Sequence, residues 1–313
     1  MKNNPRKFEG PEKKIEIILF SPQKELRSDS DRLWNRVIGA CKAEILSKVS
    51  SADIDAYLLS ESSLFVWDDR ILIITCGKTT LIHAVPEILK FVKKGNIAFV
   101  FYERKSFMFP QEQPSDFEDD VAFLLQYFQG KSYRLGPAND EHVHVFYSAY
   151  GNAYSDTDVT LQVLMHDLDP AVIKIFTSPG LQAEGEFQKL ADLPEIFSRM
   201  RTDCHVFSPY GFSINAIMDN NYYTVHVTPN PDGSYASFET NINRDGYSDL
   251  IPRVISIFKP KKFSLVLTTS MDDSCLSLHP SLKNLAIGYQ ATEKSLYEFE
   301  YGYAMTFLNY VAI

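Results

Sequence analysis

The chain has 313 residues, 45% of them hydrophobic and 23% charged, with a formal net charge of −9. At roughly 150 residues per domain, that length suits two domains or two halves of one, with a core large enough to need no disulfide or metal support. The acidic balance argues against a protein whose main task is neutralising nucleic-acid phosphates, because that affinity rests on Lys and Arg displacing counterions.

The N-terminus, MKNNPRKFEGPEKKIEI, is charged throughout and lacks the apolar centre of a signal peptide. No later apolar run approaches the ~20 residues that span a bilayer, so no membrane partner is expected and the expected location is the cytosol. Reading onward, residues 15–20 form a strand pattern and 31–48 a helix pattern. Residues 57–75 read as a hairpin turning near Asp68-Asp69, 85–94 as a helix with Pro86 in its first turn, and 97–102 as a strand. A helix over 116–129 follows from the three- and four-residue spacing of Val121, Leu124, Leu125 and Phe128, and a strand over 143–148 comes next. Residues 178–194, with Gly and Pro near a charged middle, read as a surface connection. Strands at 222–228 and 234–240 form a second hairpin turning at Pro231-Asp232-Gly233, before a helix at 249–258 and a strand at 263–269.

One order, hairpin then helix then strand, thus occurs twice at nearly equal spacing. It implies two related α/β halves, about 1–150 and 151–313, whose mainly antiparallel sheets each bury a face against helices or against the other half. The four cysteines, Cys41, Cys76, Cys204 and Cys275, are far apart and form no C-x-x-C pair, which suits a reducing compartment. His142 and His144 share a strand face without a third ligand at suitable spacing, so no metal is expected.

The most informative segment is Tyr57-Leu58-Leu59-Ser60-Glu61-Ser62-Ser63-Leu64-Phe65, followed shortly by Thr75-Cys76-Gly77. Local pattern alone makes it a Ser-rich hairpin edge whose hydroxyls satisfy backbone groups. Yet this stretch closely resembles the self-cleavage motif of eukaryotic S-adenosylmethionine decarboxylases, which are pyruvoyl enzymes. Matching motifs follow in the family's order: Phe8-Glu9-Gly10-Pro11-Glu12-Lys13, Phe101-Tyr102-Glu103-Arg104-Lys105-Ser106-Phe107, Leu168-Asp169-Pro170-Ala171-Val172 and Pro209-Tyr210-Gly211-Phe212-Ser213-Ile214-Asn215, then 222–228 with 234–240. The resemblance spans about residues 8–270, and the last ~40 residues are only loosely similar.

The resemblance implies an α+β fold: duplicated halves in a four-layer α/β/β/α sandwich with two mainly antiparallel sheets, forming a single domain. It also implies a reaction, release of CO2 from S-adenosylmethionine to give the aminopropyl donor for spermidine and spermine synthesis. Decarboxylation needs a sink for an electron pair, and an amine reaches one by forming a Schiff base with a carbonyl. In the family that carbonyl is a pyruvoyl group made from the chain, without PLP or metal. Carried onto this sequence, the scissile bond is Glu61-Ser62, Ser62 becomes the pyruvoyl group, and the mature chains are 1–61 (the small β chain) and 62–313 (the large α chain).

Ser213 and His226 match the processing serine and histidine. Period-two alternation puts His226 with Thr224 and Thr228 on a polar strand face, opposite Tyr223, Val225 and Val227. Cys76 matches the proton donor of decarboxylation, and Glu9, Glu12 and Glu61 match acidic active-site residues. Phe8 and Phe207 match a stacking pair for the substrate, and Leu59 a residue whose backbone faces adenine. Where the family usually has Thr-Pro-Glu for the ribose, this chain has Thr228-Pro229-Asn230. Some members are stimulated by putrescine at an acidic cluster matched by Glu16, Asp158, Thr160 and Glu239, with Gln162 replacing a glutamate. The family includes dimers and monomers, so a homodimer stays open. Two rival readings remain: a pyruvoyl decarboxylase of another amino acid, motivated by Asn230, and a non-catalytic regulatory paralogue, against which Glu61, Ser62, Cys76, Ser213 and His226 speak.

Overall fold

A computed structural model of the chain describes residues 8–28, 30–151, 158–177, 199–230, 233–282, 288–300 and 302–313. The first half supplies β1 (Lys13–Leu19), β2 (Ile45–Ser50), β3 (Asp55–Leu59), β4 (Ser62–Val66), β5 (Arg70–Thr75), β6 (Ile97–Lys105), β7 (Lys131–Leu135) and β8 (Val143–Ala149). They form one eight-stranded sheet in the order β2-β3-β4-β5-β1-β6-β8-β7. The second half supplies β9 (Val159–His166), β10 (Arg201–Val206), β11 (Phe212–Met218), β12 (Asn221–Thr228), β13 (Tyr235–Thr240), β14 (Lys262–Ser270), β15 (Tyr289–Phe299) and β16 (Tyr303–Ala312). Their order, β10-β11-β12-β13-β9-β14-β16-β15, repeats the first sheet position for position. Every ladder is antiparallel.

Helices α1 (Glu25–Ser28), α2 (Ser30–Ala40), α3 (Ala84–Ile88) and α4 (Phe117–Leu124) belong to the first half. Helices α5 (Pro170–Thr177), α6 (Leu250–Phe258), α7 (Asp273–Leu276) and α8 (Leu278–Ser281) belong to the second. Strand alternation decides the layering. On β1, Ile15, Ile17 and Leu19 join Trp34, Val37 and Val85 in a core between the first sheet and its helices. On β9 and β12, Leu161, Val163, Tyr223 and Val225 do the same against α5 and α6. The opposite faces meet each other: Phe99, Phe101 and Val145 pack on Leu164, Val266 and Phe307, and Phe65 and Ile74 pack on Ile217 and Tyr222. The result is the α/β/β/α sandwich.

Four expected elements differ, the helix over 116–129 being one, since α4 stops at Leu124. The helix over 31–48 ends at Ala40, because Lys42 takes a left-handed φ of 61° and Ala43 N–H closes on Ile38 O at 3.2 Å. Residues 45–50 then alternate as edge strand β2. The helix over 85–94 shrinks to α3 and flanking 3-10 turns, since Pro86 sits at its centre without an N–H. The hairpin over 57–75 is three strands. It turns near Asp68-Asp69 as expected, and also at Ser60-Glu61, where Leu59 pairs with Ser62. Residues 178–194 and the turn residues Pro231 and Asp232 lie outside the described residues.

Candidate active site

The extra turn sits on the Glu61-Ser62 bond. Ser62 is 1% exposed and has φ 120°, a region that L-residues with a side chain rarely occupy. Its Oγ has no hydrogen-bond partner among the described residues, and it neighbours the Cys76 thiol. Strand β5 ends beside this turn, so Cys76 N–H donates to Glu61 O at 3.0 Å. Burial raises the Cys76 thiol pKa well above the ordinary range, and the Glu61 carboxyl adds to that rise. Glu61 itself is pushed up to about 7 by burial, against a smaller pull from Lys13, and its Oε2 lacks a partner among the described residues.

The N-terminal segment closes one side. Gly77, with φ 61°, lets Phe8 and Glu61 approach: a Cβ there would stand 2.8 Å from the Phe8 ring and 3.0 Å from Glu61 Oε2. Gly77 N–H donates to Glu9 O at 3.0 Å. The Glu9 carboxylate accepts from Phe109 N–H and, at 2.9 Å, from Gln113 Nε2, which ties the 106–113 loop to the site. Burial raises the Glu9 pKa. Lys13 is buried and donates to Thr79 O at 2.8 Å and Gln113 Oε1 at 2.9 Å, with its pKa lowered to about 8 by desolvation.

The second sheet supplies the other wall. Its inward polar face is not solvated: Ser213, Asn215, Thr224 and His226 are each at most 5% exposed between the sheets. Ser213 Oγ lies 2.8 Å from His226 Nδ1, and burial lowers the His226 pKa to about 3, so the ring is neutral at ordinary pH. On the other side of the ring Ser63, not Ser62, approaches His226, 3.3 Å from Nε2, while Ser62 faces Cys76. Ser63, Asn215 and Thr224 were not singled out from the sequence as site residues. The two-residue offsets Ser213 to Asn215 and His226 to Thr224 are the signal that shows they share the face.

Glu12 accepts from Ser237 Oγ at 2.8 Å and Tyr235 OH at 3.4 Å, and burial lifts its pKa to about 7. Phe8, Glu9, Tyr235 and Asn230 line one cavity of about 500 Å³. Phe207, half-buried at the end of β10, meets His205 edge-to-face with centroids 4.7 Å apart and does not line that cavity. Leu59 is fully buried beneath the turn.

The remaining acidic candidates gather deeper between the sheets, and the chain's own cations already meet them. Lys14 Nζ contacts Glu239 Oε1 at 3.0 Å, which also accepts from Tyr222 OH at 2.6 Å. Arg70 grips both Asp158 oxygens at 3.0 and 2.9 Å and reaches Glu16 at 3.3 Å. Lys105 donates to Gln162 Oε1 and pairs with Glu103. The cavity left beside Lys14, Asp158 and Thr160 is about 10 Å³, room for one water. Among the described residues no group of three or more metal-ligating side chains forms, and no helix is long and apolar enough to cross a membrane.

The family model described as adenosylmethionine decarboxylase matches residues 5–311. Three relatives named S-adenosylmethionine decarboxylase proenzyme align over nearly the whole chain. The Dictyostelium discoideum protein is 31% identical over 97% of this chain and 85% of its own. The Leishmania donovani protein is 33% identical over 97% and 86%, and the Xenopus laevis protein 32% identical over 96% and 94%. The crystal structure of the Trypanosoma brucei AdoMetDC-delta26 monomer superposes with a TM-score of 0.64 at 26% identity, covering 80% of this chain and 99% of that one. A buried, strained serine beside a protonated thiol and a neutral histidine therefore sits within a match that runs almost end to end, and the chain belongs to the adenosylmethionine decarboxylase family.

Proposed function

We propose that this protein is a self-processing decarboxylase of S-adenosylmethionine, cut between Glu61 and Ser62 and carrying a pyruvoyl group derived from Ser62. The observation that carries the reading is the Glu61-Ser62 turn: a buried serine at φ 120°, with a hydroxyl set against the Cys76 thiol and a preceding carbonyl polarised by Cys76 N–H. These features fit a residue whose Oγ attacks the Glu61 carbonyl carbon while the backbone N–H holds the oxygen where charge develops. The N–C bond then gives way to an ester, loss of the Ser62 α-proton expels the Glu61 carboxylate, and water hydrolyses the dehydroalanine left at residue 62, releasing its nitrogen as ammonia and leaving the ketone. His226, neutral and buried, suits that proton transfer, and Ser213 is its partner on the same wall.

When present, a pyruvoyl carbonyl supplies the electron sink that decarboxylation of an amino acid requires. The chain's residues do the rest. Cys76, kept protonated by burial, returns a proton to the substrate carbon. Phe8 offers a ring face to the adenosyl sulfonium, and Glu9, Glu12 and Glu61 suit a cationic ligand. Leu59 underlies the turn, and Phe207, set beside His205 on the second sheet outside the Phe8 cavity, would have to turn toward it to stack on the substrate. Asn230 lines the same cavity as Phe8 but cannot supply a bidentate charged acceptor for a ribose diol, a loss of about 1–3 kcal/mol in substrate binding.

Mass spectrometry of the purified protein tests the processing. Two chains, 1–61 and 62–313, the larger without an amino terminus, are expected, and Ser62→Ala should stay single; an intact wild-type chain with serine at 62 overturns the reading. CO2 release is expected from S-adenosylmethionine and not from ornithine or arginine, and Asn230→Glu should tighten S-adenosylmethionine binding.

A further inference from the structure

Three hydroxyls surround the His226 ring. Ser213 Oγ is 2.8 Å from Nδ1, while Thr224 Oγ1 and Ser63 Oγ lie 3.0 and 3.3 Å from Nε2. A neutral imidazole has one N–H and one bare nitrogen, and the neighbours decide which is which. Hydroxyls leave that open until their own protons are placed.

Asn215 places them. Its Nδ2 donates to Tyr57 O at 3.1 Å, a carbonyl that can only accept, so the amide cannot be turned over. Its Oδ1 must therefore face Ser63 Oγ at 2.7 Å and Thr224 Oγ1 at 2.8 Å. An amide oxygen only accepts, so each hydroxyl points its single proton at Asn215. The remaining contacts, Thr224 Oγ1 to Ile214 O at 3.1 Å and the longer 3.4 Å between the two hydroxyls, leave the same outcome, since a proton placed in either also points away from Nε2. Both hydroxyls then present lone pairs to Nε2, which must carry the ring proton, and Nδ1 is left to accept from Ser213.

We propose that Asn215 is a positioning residue that fixes His226 in the Nε2–H tautomer through Ser63 and Thr224, making Nδ1, on the Ser213 side, the basic atom of the site. The assignment reaches across the sandwich, because Tyr57 and Ser63 belong to the first sheet and Asn215, Thr224 and His226 to the second. Docking of the two sheets thus sets the protonation geometry of the histidine. The inference deepens the processing reading above: a proton taken by His226 arrives at Nδ1, and Nε2–H stays on Thr224 and Ser63.

The test is nitrogen-15 NMR on full-length protein labelled at its seven histidines, with His226 assigned by its loss in His226→Gln. Two-bond proton–nitrogen couplings distinguish the tautomers without reference to activity. Wild type is expected to show Nε2–H between pH 6 and 8. Asn215→Leu, which frees both hydroxyl protons to point at Nε2, should move the population toward Nδ1–H and slow self-cleavage by at least about tenfold. Asn215→Asp keeps the acceptor and should keep Nε2–H. A wild-type Nδ1–H or charged ring overturns the inference, as does an unchanged tautomer in Asn215→Leu. If the leucine variant fails to fold, the wild-type and aspartate spectra decide alone. A protein that does not decarboxylate S-adenosylmethionine but shows the expected tautomers sinks the functional reading and leaves this one standing.

Discussion

A carboxyl at the scissile turn costs the folded chain more as it ionises. Burial lifts Glu61 from an ordinary carboxylate value to about 7, so the native state holds its proton over a pH range where the unfolded chain has lost it. The raised pKa stabilises the fold below about pH 4.5, and that stabilisation is lost as pH rises through about 7. In an unprocessed Ser62→Ala background, Glu61→Gln should therefore gain on its parent with rising pH, by about 1–2 kcal/mol at pH 8 after discounting for partial solvent contact. Thermal melts at pH 5 and pH 8 check this, and equal gaps at both values would refute it. Ser62, Cys76, Ser213 and His226 were legible in the sequence as candidates because the motif names them. Lys14, Arg70 and Asn215 were not, since their roles depend on which strand faces meet, and period-two alternation gives a face without giving its partner.

At the scale of elements, α4 shows how a short helix is fastened to the site's flank. Asp116 and Asp119 form a capping box, and Asp120, one residue further in, is buried against Arg104 on β6 with Nη1 2.6 Å from its Oδ2. The Arg104 guanidinium lies over Phe107, whose ring also faces Lys13. Removing the carboxylate strands a buried cation, so Asp120→Ala is expected to lose about 3 kcal/mol in urea unfolding, and a loss below about 1 kcal/mol would contradict the pairing. The strands rich in β-branched and aromatic residues, such as 97–102 and 263–269, were readable from sequence. Edge strands β10 and β15 were not: Arg201-Thr202-Asp203-Cys204-His205-Val206 is half-exposed and carries too few apolar residues for the pattern to register. Helix ends failed where a left-handed residue, Lys42, closed α2 without a glycine to announce it.

Across the whole molecule, the inward faces of the two sheets carry a buried charged stripe in which Lys14, Arg70 and Lys105 meet Glu239, Asp158, Glu16 and Glu103. A diamine binding there would have to displace cations already in contact and enter a void of about 10 Å³. Millimolar putrescine is therefore expected to leave the decarboxylation rate unchanged. Lys14→Met, which leaves Glu239 without its ammonium partner, should become diamine-responsive; stimulation of the wild type would show that the internal cations do not substitute. The duplicated plan was legible from the repeated hairpin, helix and strand, whereas the stripe was not, because each of its members looks like a solvated surface charge until two sheets are stacked.

The strand order has a last consequence for a chain severed after Glu61. Strand β1 belongs to the N-terminal piece, yet it lies between β5 and β6, hydrogen-bonded to both along nearly its full length. The small piece is stitched through the middle of the large one and cannot slide off an edge. Brief dilution would not part the two pieces, because they come apart only when the sheet itself melts; melting then releases two chains, so the nicked protein should unfold in one cooperative transition whose midpoint rises with protein concentration, whereas that of the uncleaved Ser62→Ala chain does not.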